Sequence, residues 1–129
     1  MKKKPTIGKL LQKAQIVFNA WIRQRDSRDG YFECISSGKV LPVDQMNAGH
    51  YYPVSTHSGL RFDEDNVHGQ SIYDNKFLHG NLIEYTERLP HRIGQQRFFN
   101  LRQRAANYKR NGHKWSRSEL LEIIEKYNP

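Results

Sequence analysis

The segment between residues 48 and 76 decides both the fold and the function that we predict. It contains three short motifs: Ala48-Gly49-His50-Tyr51-Tyr52-Pro53, Asn66-Val67-His68-Gly69-Gln70 and Asp74-Asn75-Lys76. Histidine and asparagine side chains can bind a divalent ion, and such an ion can stabilise the charge that develops when a phosphodiester is hydrolysed. An unperturbed imidazole is largely neutral at pH 7, so it can also accept a proton from water.

The composition predicts one small domain over residues 1–129. Hydrophobic residues make up 36% of the chain and the mean hydropathy is −0.87, so the core must be small. No apolar run approaches the roughly 18 residues of a membrane helix, and no apolar signal region follows the basic N-terminus. The lone Cys34 has no partner for an internal disulfide. We therefore expect a protein of the reducing cytoplasm.

Positive charge is concentrated in two blocks, and the net charge is +8. Residues 1–25 contain seven Lys or Arg and residues 88–118 contain nine, without one acidic residue in either block. This distribution favours a polyanionic partner, most simply DNA, over a solvated basic surface. The predicted phosphate-binding residues are Arg61, Lys76, Arg92, Arg97, Arg102, Arg104, Lys109 and Arg110.

Periodicity and turn signals predict a mixed α+β chain. We expect a helix over 6–27, strands over 31–35, 40–43 and 48–54, a short helix beginning near Asn75, and helices over 81–89 and 92–110 interrupted at Pro90. A final helix begins at Ser116, which forms a capping box with Glu119.

The N-terminal helix carries an apolar stripe that has two interpretations. Apolar residues recur at spacings of three and four from Leu10 to Ile22. Such a stripe is most simply part of the core. The alternative is that it pairs with its copy in a second subunit. A two-fold homodimer formed in this way would position two active sites, one for each of two DNA strands.

The whole chain resembles the NinG (Rap) recombination nucleases of bacteriophages and prophages, within the HNH or His-Me finger group. The most specific stretches are Ala48-Gly49-His50, residues 60–68 and Asn75. The resemblance implies a ββα-metal finger over 31–80, between an N-terminal helix at 6–27 and basic C-terminal helices over 81–129. It implies a metal-dependent endonuclease that cuts branched DNA or recombination intermediates such as Holliday junctions, in the cytoplasm of a bacterial host.

The resemblance also assigns roles to individual residues. His50 would be the general base, Asn66 would orient it or its loop, and Asn75 would bind one Mg²⁺ or Mn²⁺, with His50 and His68 as further ligands. Many HNH nucleases place a metal-binding acid directly before the histidine, whereas this chain has Gly49 there. The replacement ligand would be Asn47, His68 or Asp74.

Family members typically carry two Cys-x-x-Cys pairs that bind a structural zinc. The corresponding positions here are Cys34, Ser37, Ser71 and Asp74. Because hydroxyls are poor zinc ligands, we predict that no structural zinc is bound. Two replacements are open: hydrogen bonds among the residues at these positions, or packing of Ile35, Ile72, Tyr73 and Phe77.

Two other functions remain as alternatives. The loss of three zinc positions and the glycine at 49 would also suit a non-catalytic DNA-binding protein that keeps the nuclease fold. An RNA-binding accessory role is supported by charge alone.

Overall fold

The computed structural model describes residues 3–129 as a mixed α+β structure. Its helices and strands in chain order are α1 (Ile7–Asp26), β1 (Ser27–Arg28), β2 (Tyr31–Glu33), β3 (Val40–Pro42), β4 (Met46–His50), β5 (Val67–Ser71), α2 (Ile72–Phe77), α3 (Leu82–Ile93), α4 (Gln95–Arg110) and α5 (Arg117–Tyr127). Among these described helices, none is both long and apolar enough to cross a membrane.

The strands form two small antiparallel sheets. β1, β2 and β3 make a three-stranded sheet in that order, with β3 at an edge as Pro42 requires. β4 pairs with β5 in a register that runs from Met46 opposite Ser71 to His50 opposite Val67. Helix α2 follows β5 without a gap, because Ser71 ends the strand and caps the helix by accepting a bond from the Asp74 amide at 3.0 Å.

Helix α1 forms the first core together with α5. Thr6 caps α1 by accepting a hydrogen bond from the Lys9 amide, and Ser116 and Glu119 form the complete capping box at α5. The apolar stripe of α1 is buried against α5 and the β4–β5 hairpin, so it belongs to the core of this chain. The buried residues of this cluster are Leu10, Ala14, Phe18, Ile22, Phe62, Val67, Leu120 and Tyr127.

A second core lies between the long loop after β4 and helices α3 and α4. Leu60 of that loop and Ile35, which follows β2, pack against the buried faces of the two helices. The helical residues of this cluster are Tyr85, Leu89, Ile93, Leu101 and Ala105. Helix α1 packs against the hairpin, and Tyr85 of α3 donates its hydroxyl to the Gly49 carbonyl at 2.8 Å.

Two sequence predictions about elements were wrong. The break between α3 and α4 lies at Gly94, whose φ of 88° reverses the chain, and Pro90 lies inside α3. Burial of Leu89 and Ile93 on either side of Pro90 outweighs its missing amide hydrogen. The strand predicted over 48–54 covers Met46–His50 instead, and its partner β5 was not predicted.

We expect Phe18→Ala to lower the free energy of unfolding by about 3–5 kcal/mol, since the removed ring leaves a cavity in the first core. Phe18 is fully buried, and its ring lies 5.7 Å from Phe62 and 4.8 Å from Tyr127. Urea unfolding measures the change. Ile16→Ala on the same helix is the control, because Ile16 is 69% exposed. Equal effects of the two substitutions would contradict the described packing.

Candidate active site

A cleft of about 320 Å³ brings His50 of β4 and Asn75 of α2 together. Its lining residues are Ala48, His50, Tyr51, Pro53, Asn75, His79, Gly80 and Leu82. Asn75 lies inside α2, and Ser71 is the residue that caps this helix. Asn75 therefore does not cap the helix, and it lines the cleft.

The imidazole of His50 is fixed in one tautomer. Its Nε2 lies 3.0 Å from the backbone carbonyl oxygen of Arg61. A carbonyl can only accept a hydrogen bond, so Nε2 carries the proton and Nδ1 keeps its lone pair. Burial, together with the charge of Arg61, lowers the pKa of His50 below its usual value. The ring is thus neutral at pH 7 and able to accept a proton at Nδ1.

Asn66 acts on the loop that precedes it. The side chain is fully buried; its Nδ2 donates to the carbonyls of Tyr52 at 3.1 Å and Leu60 at 3.2 Å, and its Oδ1 accepts from the Tyr52 amide at 2.8 Å. These bonds tie together two parts of the loop, one next to His50 and one next to Arg61. Asn66 therefore positions the carbonyl that orients His50, without contacting the imidazole.

The structure places His68 away from this cleft. Gly49 is paired with His68 and His50 with Val67, so the two histidines project from opposite faces of the hairpin. His68 is 2% exposed, lies with its Nδ1 3.3 Å from the Tyr85 hydroxyl, and lines a separate cavity with Arg25 and Arg92. Burial lowers the pKa of His68 to about 3.

Neither of the other predicted replacement ligands lines the cleft. Asn47 lies on the His68 face of the hairpin, and the carboxylate of Asp74 is engaged in a buried hydrogen-bond network. A side chain at position 49 would not face the cleft either, because a Cβ there would lie 2.2 Å from Oε1 of Gln70. Within residues 3–129, no Asp or Glu lines the cleft, and no three His, Cys, Asp or Glu residues are placed to hold a metal ion.

His79 is a cleft residue that the sequence analysis missed. It lies in the turn after α2, where His79 and Asn81 have positive φ angles of 49° and 45° and Gly80 has a φ of 87°. This left-handed turn folds back over α2 and directs His79 to the cleft. The Gly80-Asn81 pair was the only sequence signal of such a turn.

The predicted zinc positions do converge, and hydrogen bonds join them. The Cys34 sulfur accepts the backbone amides of Ser37 at 3.4 Å and Ser71 at 3.2 Å, and lies 3.8 Å from Oδ2 of Asp74. Of the residues in the apolar-packing alternative, Ile35 is buried, whereas Tyr73 and Phe77 on α2 are 62% and 69% exposed. Hydrogen bonding is therefore what links the two segments.

Asp74 is the centre of this network. Its Oδ2 accepts the Ser36 hydroxyl at 2.6 Å and the Asn81 amide at 3.1 Å. Gln70 donates to the Ser36 oxygen at 2.9 Å and to the Gly80 carbonyl at 2.6 Å. Burial raises the pKa of Asp74, but the hydrogen bonds from Ser36 and Asn81 outweigh it, so the pKa lies below its usual value. Asp74 is ionised at neutral pH.

Comparison with known proteins identifies the family. A family model described as the bacteriophage lambda NinG protein matches residues 1–129. The chain belongs to the NinG family. It is 39% identical over 117 residues to protein ninG of Escherichia phage 933W, a match that covers 91% of this chain and 54% of that protein. Protein ninG of Escherichia phage lambda is 38% identical over 117 residues, covering 91% of this chain and 53% of that protein.

The NinG chain spans about half the length of the curated relatives it matches. No solved structure matches it. The family and its phage relatives are thus shown by sequence.

The predicted phosphate-binding residues of this NinG family member fall into two groups. Four of them are engaged within the chain: Arg97 with Asp65, Arg104 with Asp63, Arg61 with Gln15 and Arg92 with the Glu33 carbonyl. The other four are exposed and form no ion pair within residues 3–129: Lys76, Arg102, Lys109 and Arg110. The residues of the second group could bind an anionic partner without breaking an ion pair within the described residues.

The buried, neutral His68 predicts a pH dependence of stability. Its pKa is about 3 in the folded chain and about 6.5 when unfolded, so the unfolded chain takes up the proton first as the pH falls. The free energy of unfolding should therefore decrease below about pH 6.5, with His68 contributing up to about 1.4 kcal/mol per pH unit.

Urea unfolding between about pH 7.5 and pH 4.5 measures this slope, to which the lowered pKa of His50 adds in the same direction. We expect His68→Gln to reduce the slope and His79→Gln, at an exposed position, to preserve it. An unchanged slope in His68→Gln would contradict burial of a neutral imidazole.

Proposed function

We propose that this chain is a metal-dependent DNA endonuclease that acts on branched or recombining DNA. The observation that carries the proposal is the convergence of His50, with a free Nδ1, and Asn75 on one cleft at the β4–β5–α2 unit. This strand–strand–helix unit has the order that a ββα-metal finger requires. The preference for branched DNA rests on the resemblance to recombination nucleases.

His50 would act as the general base. Its Nδ1 takes the proton of a water molecule that attacks the phosphorus, while the Nε2–H bond to the Arg61 carbonyl keeps the ring oriented and stabilises the imidazolium that forms. Asn66 preserves this arrangement through the loop. Because the pKa of His50 is lowered, its imidazole is neutral before the reaction begins.

The cleft would hold a divalent ion that keeps several of its waters. Asn75 would supply an amide oxygen and His79 an imidazole, and a bound phosphodiester would add anionic oxygens. Because Nε2 is occupied, His50 has one lone pair and cannot be base and ligand at once; we assign it to the base. When bound, the ion would neutralise charge on the phosphate and the leaving oxygen.

The exposed cations would bind the DNA backbone. Lys76 follows Asn75 directly on α2 and is exposed next to the cleft. Arg102, Lys109 and Arg110 are exposed on α4, where they would contact phosphates at some distance from the reacting bond. Contacts of this kind give affinity and register, and they do not choose a sequence.

A second candidate function is DNA binding without hydrolysis. The absence of a carboxylate from the cleft within residues 3–129 favours it, since Mg²⁺ sites commonly use one or two carboxylates. The two candidates differ in one observable, which is strand cleavage that depends on His50.

We expect purified protein to cleave a four-way junction in the presence of Mg²⁺ or Mn²⁺ and not in EDTA. His50→Ala should reduce the single-turnover rate by about 10²–10⁴-fold, because general base catalysis is lost. A linear duplex of the same sequence tests branch preference, and gel analysis of end-labelled strands measures the rate. His91→Ala, at an exposed position outside the cleft, is the matched control.

Three other outcomes are informative. Equal cleavage by wild type and His50→Ala would contradict the proposal and assign the activity to a contaminant. Tight junction binding without cleavage would favour the second candidate function. Cleavage of junction and duplex at the same rate would support nuclease activity and contradict a preference for branched DNA.

A further inference from the structure

We propose that Asp74 is a positioning residue that holds Asn75 and the His79 turn at the cleft, and that it does so by hydrogen bonding instead of metal ligation. The inference rests on the proposed function, because it concerns the site that this function would use. It assigns the buried network behind α2 a role in setting the geometry of that site.

Asp74 and Asn75 face different surroundings although they are neighbours in the chain. Consecutive helical residues project about 100° apart, so the two side chains diverge. Asp74 is buried among Ser36, Ser71 and Cys34, while Asn75 lines the cleft. Any change in how Asp74 is held therefore rotates or shifts Asn75.

Asp74 also holds the turn that carries His79. Its backbone carbonyl accepts the Gly80 amide at 2.9 Å, and its carboxylate accepts the Asn81 side-chain amide at 3.1 Å. The positive φ angles of His79 and Asn81 are unfavourable for residues with side chains, so the turn needs such bonds to persist. Gln70, through its bond to the Gly80 carbonyl, supports the same turn from β5.

Two observations separate this role from direct ligation. Oδ2 of Asp74 already accepts bonds from Ser36 and Asn81, and the Asp74 side chain is absent from the described lining of the cleft. A carboxylate that turned to the cleft would abandon both bonds, including the 2.6 Å bond from the buried Ser36 hydroxyl.

The first part of the test measures local stability without reference to activity. Hydrogen exchange with mass spectrometry follows peptides covering residues 72–82 in Asp74→Asn and in Ser36→Ala, which removes the shortest bond without adding a group. Loss of a charge-assisted bond should lower amide protection there by about tenfold or more. Asp44→Asn, at an exposed position, is the matched control and should change nothing.

The second part replaces the hydrogen bonds by a metal. Ser37→Cys, Ser71→Cys and Asp74→Cys would add three thiols to the native Cys34, whose sulfur lies 3.4 Å and 3.2 Å from the backbone amides of Ser37 and Ser71 and 3.8 Å from the Asp74 carboxylate. Four thiolates at these positions would suit a tetrahedral zinc ion. Stoichiometric zinc should restore protection of residues 72–82 in this triple variant. It should also restore Mn²⁺-dependent junction cleavage, although the variant has no carboxylate at position 74.

The outcomes distinguish the inference from the proposed function. Protection that stays unchanged in both Asp74→Asn and Ser36→Ala overturns the inference. Loss of cleavage in Asp74→Asn with normal protection, and no recovery in the zinc-loaded triple variant, also overturns it and makes Asp74 a ligand. If no protein cleaves DNA but protection falls and zinc restores it, the positioning role stands and the proposed nuclease activity fails.

Discussion

The register of the β4–β5 hairpin determines which face of this sheet carries His50. A shift of one residue would turn His50 to the face now occupied by His68. Close packing fixes the register: the Gly69 amide donates to Asp26 at 2.7 Å, and a Cβ on Gly69 would lie 2.7 Å from the Met46 sulfur. Helix α1 thereby holds the hairpin in the one alignment that gives the cleft a free imidazole nitrogen.

Hydrogen bonds at the Asp74 network cannot by themselves equal a structural metal. Zinc contributes roughly 10–16 kcal/mol to folding in small finger peptides, whereas a hydrogen bond to a charged group contributes about 1.5–3 kcal/mol. The two helical cores around the hairpin supply further stabilisation, since each buried large apolar side chain adds about 1.5–3 kcal/mol. In this account the cores stabilise the fold, and the network sets the position of α2.

Local signals in the sequence were sufficient for some elements. The cap at Ser116 and the stripe of α1 were predicted because each depends on residues three or four apart. Strand β5 was missed because its five buried residues include His68, Gln70 and Ser71, so no apolar alternation marks it. Their burial is made possible by partners distant in the chain, which a local pattern does not reveal.

The same limit explains which parts of the site could be predicted. His50 and Asn75 were found from a motif, and the structure brings them to one cleft. His79 reaches that cleft through a left-handed turn, and Arg97 is paired with Asp65 across 32 positions of sequence. The position of His79 and the pairing of Arg97 both depend on tertiary contacts, which cannot be predicted from composition and residue spacing.

Paramagnetic line broadening by Mn²⁺ would show whether a divalent ion binds in the cleft that His50 and Asn75 line. In isotope-labelled protein, substoichiometric Mn²⁺ should broaden the ring signals of His50 and His79 and the side-chain amide of Asn75, because all three line one cleft. The ring signals of His68, on the other face of the hairpin, should stay sharp. Broadening of His68 with His50 and Asn75 unaffected would place the metal elsewhere and contradict the account.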